Sequence, residues 1–379
     1  MTTRLLFIVN AHEFTAAHRL PLLRGAEAAG FSVAAVAPVG SPALKRLERE
    51  GFTTHAVRLS RRGLRAWEDV GSILELMRLY RRLKPDLVHH ATIKPVIYGT
   101  LAARGSGKPA VVNAITGLGY VYTSSDWQAS LLRLGVNALY RVAFRYSPQR
   151  IIFQNRDDSF VLRSIGAVGE DQSVLIPGSG VDMTTFTPTP EAEGVPVVVM
   201  AARLIWDKGV AQFVEAARLL QEKGVLARFV LVGELDIGNP TSIRDTDLQR
   251  WVDEGVVEWW GQVGDMRMVY EKSHIVVLPS YYREGLPKVL IEAAASARPT
   301  VSTDAPGCRD ALIDGETGYL VPVRDSTSLA ARIGDLLSDS ELRRQMGRAG
   351  RELVEREFST ERVVSETLAV YESLLRDRR

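Results

Sequence analysis

Short runs of consecutive apolar residues alternate with longer stretches in which apolar residues recur every three to four positions. In the first half of the chain the short runs are LLFIV (5–9), SVAAVA (32–37), DLVHH (86–90), AVVNAI (110–115) and RIIFQN (150–155). Amphipathic stretches such as residues 15–29 and 66–83 lie between them. Short apolar strands that alternate with helices are typical of a parallel sheet covered by helices on both faces.

The alternation stops at residues 177–196, where proline, glycine and threonine leave no helical period, as in a linker between domains. It then resumes with the runs VPVVVMAA (195–202), RFVLVG (228–233), HIVVLPS (274–280) and PTVST (299–303). Helical patterns follow at about 208–222, 287–297, 325–337, 340–357 and 360–377. We therefore predict an α/β protein of two doubly wound, Rossmann-like domains, residues 1–187 and 188–358.

Composition agrees with this prediction and narrows the class of protein. Of 379 residues, 46% are hydrophobic and 24% are charged, proportions that exclude a disordered chain, a collagen or a coiled coil. The single cysteine, Cys308, excludes an internal disulfide and a cysteine-rich metal site, so we expect a cytoplasmic protein. The apolar run near the N-terminus is too short for a signal peptide, and no run approaches the length of a transmembrane helix.

The two halves of the chain differ in charge although the net charge is only +2. Residues 1–187 carry 23 Lys and Arg against 14 Asp and Glu, a net of +9, and the remainder carries 24 against 31, a net of −7. A basic first half could face phosphates or an anionic membrane surface. The alternative is two ordinary surfaces whose charges happen to segregate.

The first candidate motif is ARLIWDKGV, directly after the strand pattern VVVMAA. Ligands of doubly wound sheets bind at the carboxyl ends of the strands, so residues that follow strands are the first candidates. Arg203 and Lys208 would stand where a helix N-terminus already attracts anions, and together they could bind a diphosphate. The alternative is a surface arginine followed by a helix-capping turn.

The second candidate motif is YYREGLPKVLIEAAA, which follows the strand pattern HIVVLPS. Glu284 lies in a loop, residues 285–287 turn the chain into a helix, and Glu292 lies one to two turns into that helix. Two carboxylates on either side of a helix N-terminus could accept hydrogen bonds from the hydroxyls of a nucleoside diphosphate sugar. The alternative is one glutamate in a polar turn and one buried glutamate with a structural role.

These two motifs together resemble glycosyltransferase family 4, whose members are retaining enzymes of the two-domain GT-B fold. The resemblance covers almost the whole chain. Four stretches of the first half are similar to a narrower group that builds bacterial capsule, O-antigen and glycoprotein oligosaccharides on a polyprenyl diphosphate: FTAAHRLPLLRGAEAAGFSV (14–33), HHATIKPVIYGTLAAR (89–104), AITGLGYVYT (114–123) and IPGSGVDMTTF (176–186).

The resemblance implies a role for each matching residue. Arg203 and Lys208 would neutralise the departing diphosphate, Glu284 would bind hydroxyls of the transferred sugar, and Glu292 would bind the ribose. The remaining donor-binding positions would be Gly233, Gly261, Gln262, Gly285, Leu286 and Pro287. The resemblance also implies two domains facing across a cleft and a last helix, residues 359–379, that crosses back to the first domain. The co-substrate would be a nucleotide sugar, most simply a UDP-sugar, with no cofactor and no metal.

The first domain would then bind the acceptor, and here the chain departs from the family. Many relatives have a histidine after the strand AVVNAI, whereas this chain has Asn113 and Thr116, so no catalytic histidine can be assigned there. The candidate acceptor-binding residues are Asn10, His12, His18, Arg19, His90, Lys94 and Thr116. For His89 or His90 the alternative is a buried, hydrogen-bonded histidine at a strand end. Lys94 could instead be a solvated helix-start lysine, and His18 and Arg19 could simply cap the first helix.

A membrane surface is a further expected partner. Residues 127–156 contain five arginines and no acidic residue, interleaved with leucine, valine and aromatic residues. A second basic cluster comprises Arg61, Arg62 and Arg65. A basic amphipathic helix suits an anionic bilayer surface, which would place the protein peripherally on the inner face of the cell membrane. The alternative is a core helix with solvated arginines; no nucleic-acid module accompanies the charge.

The sequence therefore predicts a metal-independent glycosyltransferase that moves a hexose or N-acetylhexosamine to a polyprenyl-diphosphate-linked saccharide. A sugar-nucleotide epimerase or hydrolase and a non-catalytic sugar-nucleotide-binding scaffold remain as alternatives. A dehydrogenase is disfavoured because no G-x-G-x-x-G follows the first strand.

Overall fold

The computed structural model describes residues 2–9, 17–59, 66–119, 122 and 127–377. The chain forms two compact units, Met1–Ser179 together with Thr360–Arg379, and Gly180–Ser359. Among the described residues, no helix is both long enough and apolar enough to span a membrane.

The first unit is built on a seven-stranded parallel sheet with the order β3-β2-β1-β4-β5-β6-β7. Its strands are β1 (Arg4–Ile8), β2 (Ser32–Pro38), β3 (Thr53–Val57), β4 (Leu87–Ala91), β5 (Ala110–Ile115), β6 (Gln149–Phe153) and β7 (Ser173–Leu175). Its helices are α1 (Leu20–Ala28), α2 (Pro42–Arg49), α3 (Ala66–Leu83), α4 (Ile93–Arg104), α5 (Trp127–Phe144) and α6 (Arg156–Ser164), to which the last helix, α13 (Thr360–Arg376), is added.

The second unit is built on a six-stranded parallel sheet with the order β10-β9-β8-β11-β12-β13. Its strands are β8 (Val197–Ala201), β9 (Arg228–Val232), β10 (Glu258–Trp259), β11 (Ile275–Leu278), β12 (Thr300–Thr303) and β13 (Gly318–Val321). Its helices are α7 (Val210–Glu222), α8 (Asp245–Asp253), α9 (Met266–Lys272), α10 (Lys288–Ala295), α11 (Ser326–Ser338) and α12 (Ser340–Glu357).

Alternation along the strands explains why each sheet is covered on both faces. In β1, Leu6 and Ile8 join a core that also contains residues of α3, α4 and α5, whereas Leu5 and Phe7 join a core that contains residues of α1 and α13. Successive side chains of a strand point to opposite faces, so a strand that is apolar throughout must be covered twice. The last helix, α13, supplies part of that cover and packs on α1.

The strand order reverses once in each sheet, and these two points are where ligands of such folds bind. In the first unit the reversal lies between β1 and β4, and in the second between β8 and β11. The predicted donor motifs follow β8 and β11, so both lie at the reversal of the second sheet.

The boundary between the units falls at Gly180, not at residues 187–188 as the linker composition predicts. The reason is that residues 180–187 are bound by the second unit. Lys288 donates to the carbonyl oxygen of Gly180 at 2.8 Å, and Arg351 donates to that of Met183 at 3.3 Å. Val181 is buried in an apolar cluster with residues of α10 and α12. The proline- and glycine-rich composition predicts an irregular segment but does not predict which unit it joins.

Candidate active site

The first predicted cation, Arg203, follows β8 and is held by a carboxylate. Its Nη1 donates to Asp236 Oδ2 at 2.6 Å, and the side-chain amide of Asn239 donates to the same oxygen at 2.9 Å. Asp236 lies after β9, the neighbouring strand, so the carboxyl ends of β8 and β9 bring the pair together. The sequence reasoning did not identify Asp236.

The second predicted cation, Lys208, ends a short 3₁₀ turn, Trp206–Lys208, and is followed by Gly209. Gly209 adopts φ 82°, and a Cβ atom there would lie 2.1 Å from the carbonyl oxygen of Pro279. Only glycine fits both the left-handed backbone and this close approach to the end of β11. The chain is thereby held against the loop that carries Glu284.

Lys208 and Glu284, predicted separately from two motifs, are in contact. The ammonium of Lys208 pairs with Oε1 of Glu284, and both side chains are largely buried. The hydroxyl of Ser280 donates to the same oxygen at 2.9 Å, and the backbone N–H of Tyr282 donates to the Asp207 carbonyl oxygen at 3.1 Å. The structure therefore joins the two motifs into one cluster and adds Ser280, which the sequence reasoning missed.

Helix α10 begins directly after the Glu284 loop. Pro287 occupies its N-cap position, one residue earlier than the first-turn position that the sequence predicts, and the helix starts at Lys288. Leu286 is buried in an apolar cluster with Leu290 and Ile291 of α10, so its side chain anchors the loop. The positive end of the helix, with its unpaired N–H groups, therefore lies beside Glu284.

Glu292 lies one turn into α10 and is buried, with 8% of its surface exposed. Tyr270 donates to its Oε2 at 3.0 Å, and the Lys288 ammonium lies 3.3 Å from its Oε1. Burial raises the pKa of Glu292, while Lys288 and the tyrosine hydroxyl act in the opposite direction. Tyr270 and Lys288 were not predicted; a tyrosine eighteen residues before a helix carries no local signal that it will reach a carboxylate within it.

The remaining predicted donor residues form a second group, after β9. The Gly233 N–H donates to the Gly261 carbonyl oxygen at 2.8 Å, and Trp259 Nε1 donates to the Gly233 carbonyl oxygen at 2.9 Å. Gly233 has φ 134°, and a Cβ atom would lie 1.9 Å from the Ala202 carbonyl oxygen, so no other residue fits there. With its amide nitrogen turned towards Glu234, Gln262 donates to that carboxylate at 2.6 and 3.1 Å.

Taken together, the second unit presents two cations, two carboxylates and a helix N-terminus around the reversal of its sheet. Cations and N–H donors fixed in advance stabilise charge that develops on a departing diphosphate. Carboxylates beside them accept hydrogen bonds from sugar hydroxyls. A cavity of about 510 Å³ in this unit lies elsewhere, at the amino end of β8, and is lined by residues such as Arg228, Lys272 and His274. Both ring nitrogens of His274 already have partners, so that cavity offers no such arrangement.

The predicted acceptor residues of the first unit do not form a cluster like that of the donor residues in the second unit. His90 is fully buried on β4, with Nε2 2.9 Å from the Tyr80 hydroxyl and Nδ1 2.8 Å from Asn113 Oδ1. Burial lowers the pKa of His90 to about 4, so the ring is neutral at neutral pH. This geometry favours the structural alternative, a buried histidine with both nitrogens hydrogen-bonded.

Lys94 lies in the first turn of α4, and its ammonium pairs with Asp69 Oδ1 of α3 at 3.1 Å. It is largely buried rather than a solvated lysine. Thr116 follows β5 and is half-buried, and His18 precedes α1. Arg19 is the N-cap residue of α1 and is buried. Asn10 and His12 lie outside the described residues, as do Arg61, Arg62 and Arg65 of the second basic cluster.

Comparison with known protein families gives two matches that together cover most of the chain. Residues 183–353 match the family described as Glycosyl transferases group 1, and residues 4–155 match the family described as Glycosyl transferase 4-like. The boundaries of the two matches fall close to those of the two units.

Curated relatives carry names of the same kind. The N,N'-diacetylbacillosaminyl-diphospho-undecaprenol alpha-1,3-N-acetylgalactosaminyltransferase of Campylobacter jejuni is 27% identical over 86% of this chain and 87% of that protein. The UDP-Gal:alpha-D-GlcNAc-diphosphoundecaprenol alpha-1,3-galactosyltransferase of Escherichia coli is 24% identical over 69% of this chain and 68% of that protein. Among solved structures, Anabaena HepE in complex with UDP superposes with a TM-score of 0.79, at 15% identity, over 98% of this chain and all of that one.

Proposed function

Because the chain belongs to glycosyltransferase family 4 and has the GT-B fold, we propose that it transfers a sugar from a UDP-sugar to a saccharide linked to polyprenyl diphosphate, with retention of configuration. The transferred unit would be a hexose or N-acetylhexosamine. The observation that carries the donor side of the proposal is the contact between Lys208 and Glu284 at the reversal of the second sheet. In this contact, a cation that would bind the diphosphate lies beside a carboxylate that would bind the sugar.

The proposed step breaks the bond between the sugar C1 and the β-phosphate oxygen and forms a bond from C1 to an acceptor hydroxyl oxygen on the same face. The acceptor proton passes to the departing phosphate, so the products are UDP and the extended acceptor. Negative charge grows on the diphosphate as the bond breaks, and Arg203, Lys208 and the N-terminus of α10 would stabilise it. Glu284 would hold the sugar, and Glu292 the ribose.

The acceptor side of the proposal rests on the named activities of relatives. The Campylobacter jejuni and Escherichia coli proteins are both named for acceptors built on a diphospho-undecaprenol. The positive charge of residues 1–187 of this chain, a net of +9, would favour an anionic diphosphate and an anionic lipid surface.

Two helices of the first unit support attachment to a membrane surface. Helix α5 buries Val136, Tyr140 and Phe144 in the core but exposes Leu131 and Leu134, the latter by 66%. Helix α3 exposes Val70, Leu74 and, by 90%, Trp67, a stripe that the sequence reasoning overlooked.

Helix α4 packs against both of these helices. Since helices that follow parallel strands all begin at the same edge of the sheet, these exposed apolar residues lie at the carboxyl edge, near Lys94. Apolar side chains beside basic ones suit the interface of an anionic bilayer.

The transfer activity is tested with purified protein, labelled UDP-sugars and an undecaprenyl-diphosphate-linked saccharide. We expect the label to move to the lipid fraction, and Glu284→Gln to reduce this transfer at least about tenfold by weakening the hold on the sugar. Glu222→Gln, at the far end of α7, is the matched control and should leave transfer unchanged. Normal transfer by the Glu284→Gln protein would contradict the proposed site.

Membrane attachment is tested separately by sedimentation with vesicles containing anionic lipid. Replacing Leu131, Leu134 and Trp67 with serine should reduce vesicle binding while leaving UDP binding intact. Replacing Arg141 and Arg145 with glutamine should weaken binding more at low salt than at high salt. Unchanged sedimentation of both variants would show that these helices do not contact the membrane.

A further inference from the structure

Arg203 is the more exposed of the two cations that the proposed function assigns to the diphosphate, and a single carboxylate limits its movement. The side chain of Arg203 is 43% exposed, against 13% for that of Lys208, whereas the partner of Arg203, Asp236, is only 10% exposed. The bond from Nη1 to Asp236 Oδ2, 2.6 Å long, occupies one of several guanidinium donors. The other guanidinium nitrogens of Arg203 donate to no described residue, so they are available to an anion.

The carboxylate of Asp236 is itself held by the loop that follows β9, residues 233–242. The side-chain amide of Asn239 donates to Asp236 Oδ2 at 2.9 Å, and the Asn239 backbone N–H donates to the Asp236 carbonyl oxygen at 2.8 Å. The amide oxygen of Asn239 accepts from the backbone N–H and from the hydroxyl of Thr241, each at 3.1 Å. One amide side chain therefore connects the carboxylate that holds Arg203 to the opposite side of the 233–242 loop.

The 233–242 loop also binds the backbone of the segment that carries both cations. The N–H of Leu204 donates to the Glu234 carbonyl oxygen at 2.9 Å. The N–H of Trp206, the first residue of the 3₁₀ turn that ends at Lys208, donates to the Thr241 carbonyl oxygen at 2.8 Å. These bonds fix the loop, and with it the Asp236 carboxylate, against the segment that presents the cations.

We propose that Asp236, oriented by Asn239, is a positioning residue that holds the guanidinium of Arg203 in place before a diphosphate binds. An arginine side chain has many rotamers, and fixing one of them in advance removes an entropy cost that binding would otherwise include. Donors that are already fixed also stabilise charge in a transition state without having to reorganise. This inference rests on the proposed function, because it needs Arg203 to bind the donor diphosphate.

A carboxylate in this position has a second effect of opposite sign, because its negative charge repels a diphosphate. If positioning is the larger effect, removing the Asp236 charge weakens binding of a diphosphate. If competition for Arg203 is the larger effect, removing that charge tightens binding. The sign of the change therefore decides between the two roles.

The test measures UDP binding to full-length variants by titration calorimetry, together with kcat for transfer of labelled sugar. Asp236→Asn should weaken UDP binding and lower kcat at least about tenfold, since a misplacement of about 1 Å can cost about 10²-fold. Asn239→Ala leaves every charge in place and should weaken UDP binding about threefold or more by releasing the carboxylate. Asp335→Asn, which removes a surface partner of Arg332 at 3.1 Å in α11, is the matched control and should change neither quantity.

A double-mutant cycle distinguishes action through Arg203 from a general loss of structure. Arg203→Met should weaken UDP binding at least about tenfold, and adding Asp236→Asn should weaken it no further, because no guanidinium is left to position. A purely structural role of Asp236 would instead give losses that add. Thermal unfolding without ligand shows whether each variant is folded, and if Asp236→Asn is not, the cycle is run with Asn239→Ala, which keeps the carboxylate.

Two results would overturn the positioning role while leaving the donor site in place. One is unchanged or tighter UDP binding by Asp236→Asn when Arg203→Met weakens it, and the other is additive losses in the cycle. Failure of the proposed donor site would appear differently, as UDP binding that Arg203→Met does not alter, and that result would overturn the positioning role as well.

Discussion

Replacing Lys208 with methionine tests the centre of the candidate active site, because it removes one charge and keeps most of the side-chain volume. Lys208 pairs with Glu284, whose Oε1 also accepts a hydrogen bond from Ser280 at 2.9 Å. The two paired side chains are 13% and 12% exposed. The variant therefore removes the Lys208 cation from beside a largely buried carboxylate.

Two separate effects of different size follow. Loss of one preorganised positive group at the departing diphosphate should reduce kcat by about 10²–10³-fold, equivalent to about 2.7–4 kcal/mol. Removing one partner of a fully buried ion pair costs about 3–5 kcal/mol of stability. Because this pair keeps some contact with solvent, we expect a smaller loss, about 2 kcal/mol, which lowers Tm by about 4–8 °C in a unit of this size.

The double variant Lys208→Met with Glu284→Gln distinguishes the two effects. It removes the Glu284 charge as well, so thermal unfolding should show Tm recovering towards the wild-type value, while transfer of labelled sugar should stay as low as in the single variant. The reasoning is refuted if Lys208→Met retains more than a tenth of wild-type kcat. It is also refuted if the double variant is no more stable than Lys208→Met alone.

Three further results are expected. EDTA should leave transfer unchanged, because protein cations and the N-terminus of α10 neutralise the diphosphate; loss of activity restored by a divalent cation would contradict this. Tyr270→Phe should raise KM for the donor about tenfold with little change in kcat, since it removes a hydrogen bond to the Glu292 carboxylate. The folded-state pKa of His90, about 4, lies below its ordinary value of 6.5, so stability should be full above pH 6.5 and decline as the pH falls towards 4. If NMR showed the His90 ring titrating near pH 6.5, the ring would not be buried as described here.

The strands show where reasoning from the sequence is sufficient and where it is not. The nine strands predicted from apolar runs all exist, within a few residues of their expected ends. Four strands were missed, β3, β7, β10 and β13, and they are the edges of the two sheets. Each is at least partly exposed, so its pattern is not continuously apolar. An edge strand is recognised by its neighbour in the sheet and not by its own composition.

The residues of the candidate site also divide into those that the sequence identifies and those that it does not. Arg203, Lys208, Glu284 and Glu292 could be selected from the sequence because each belongs to a motif that follows a strand or opens a helix. Tyr270 could not, since it lies within α9 and reaches Glu292 only in the folded chain. Ser280 and Asp236 follow β11 and β9, so the same rule could have selected them, but the sequence alone did not show that they contact Glu284 and Arg203. His90 is the converse case. Its position at a strand end suggested a binding role, but its ring lies in the core.

The sequence by itself determined the two-part α/β architecture, the edge of the second sheet at which the candidate site lies, and the residue types available there. These follow from local periodicity and from turn residues, which depend on neighbours only a few positions apart. Only the tertiary structure decided that Lys208 pairs with Glu284, that the segment after Gly180 belongs to the second unit, and that Tyr371 of the last helix reaches His89. Those contacts join residues up to 282 positions apart, and no local pattern encodes which buried polar group will meet which.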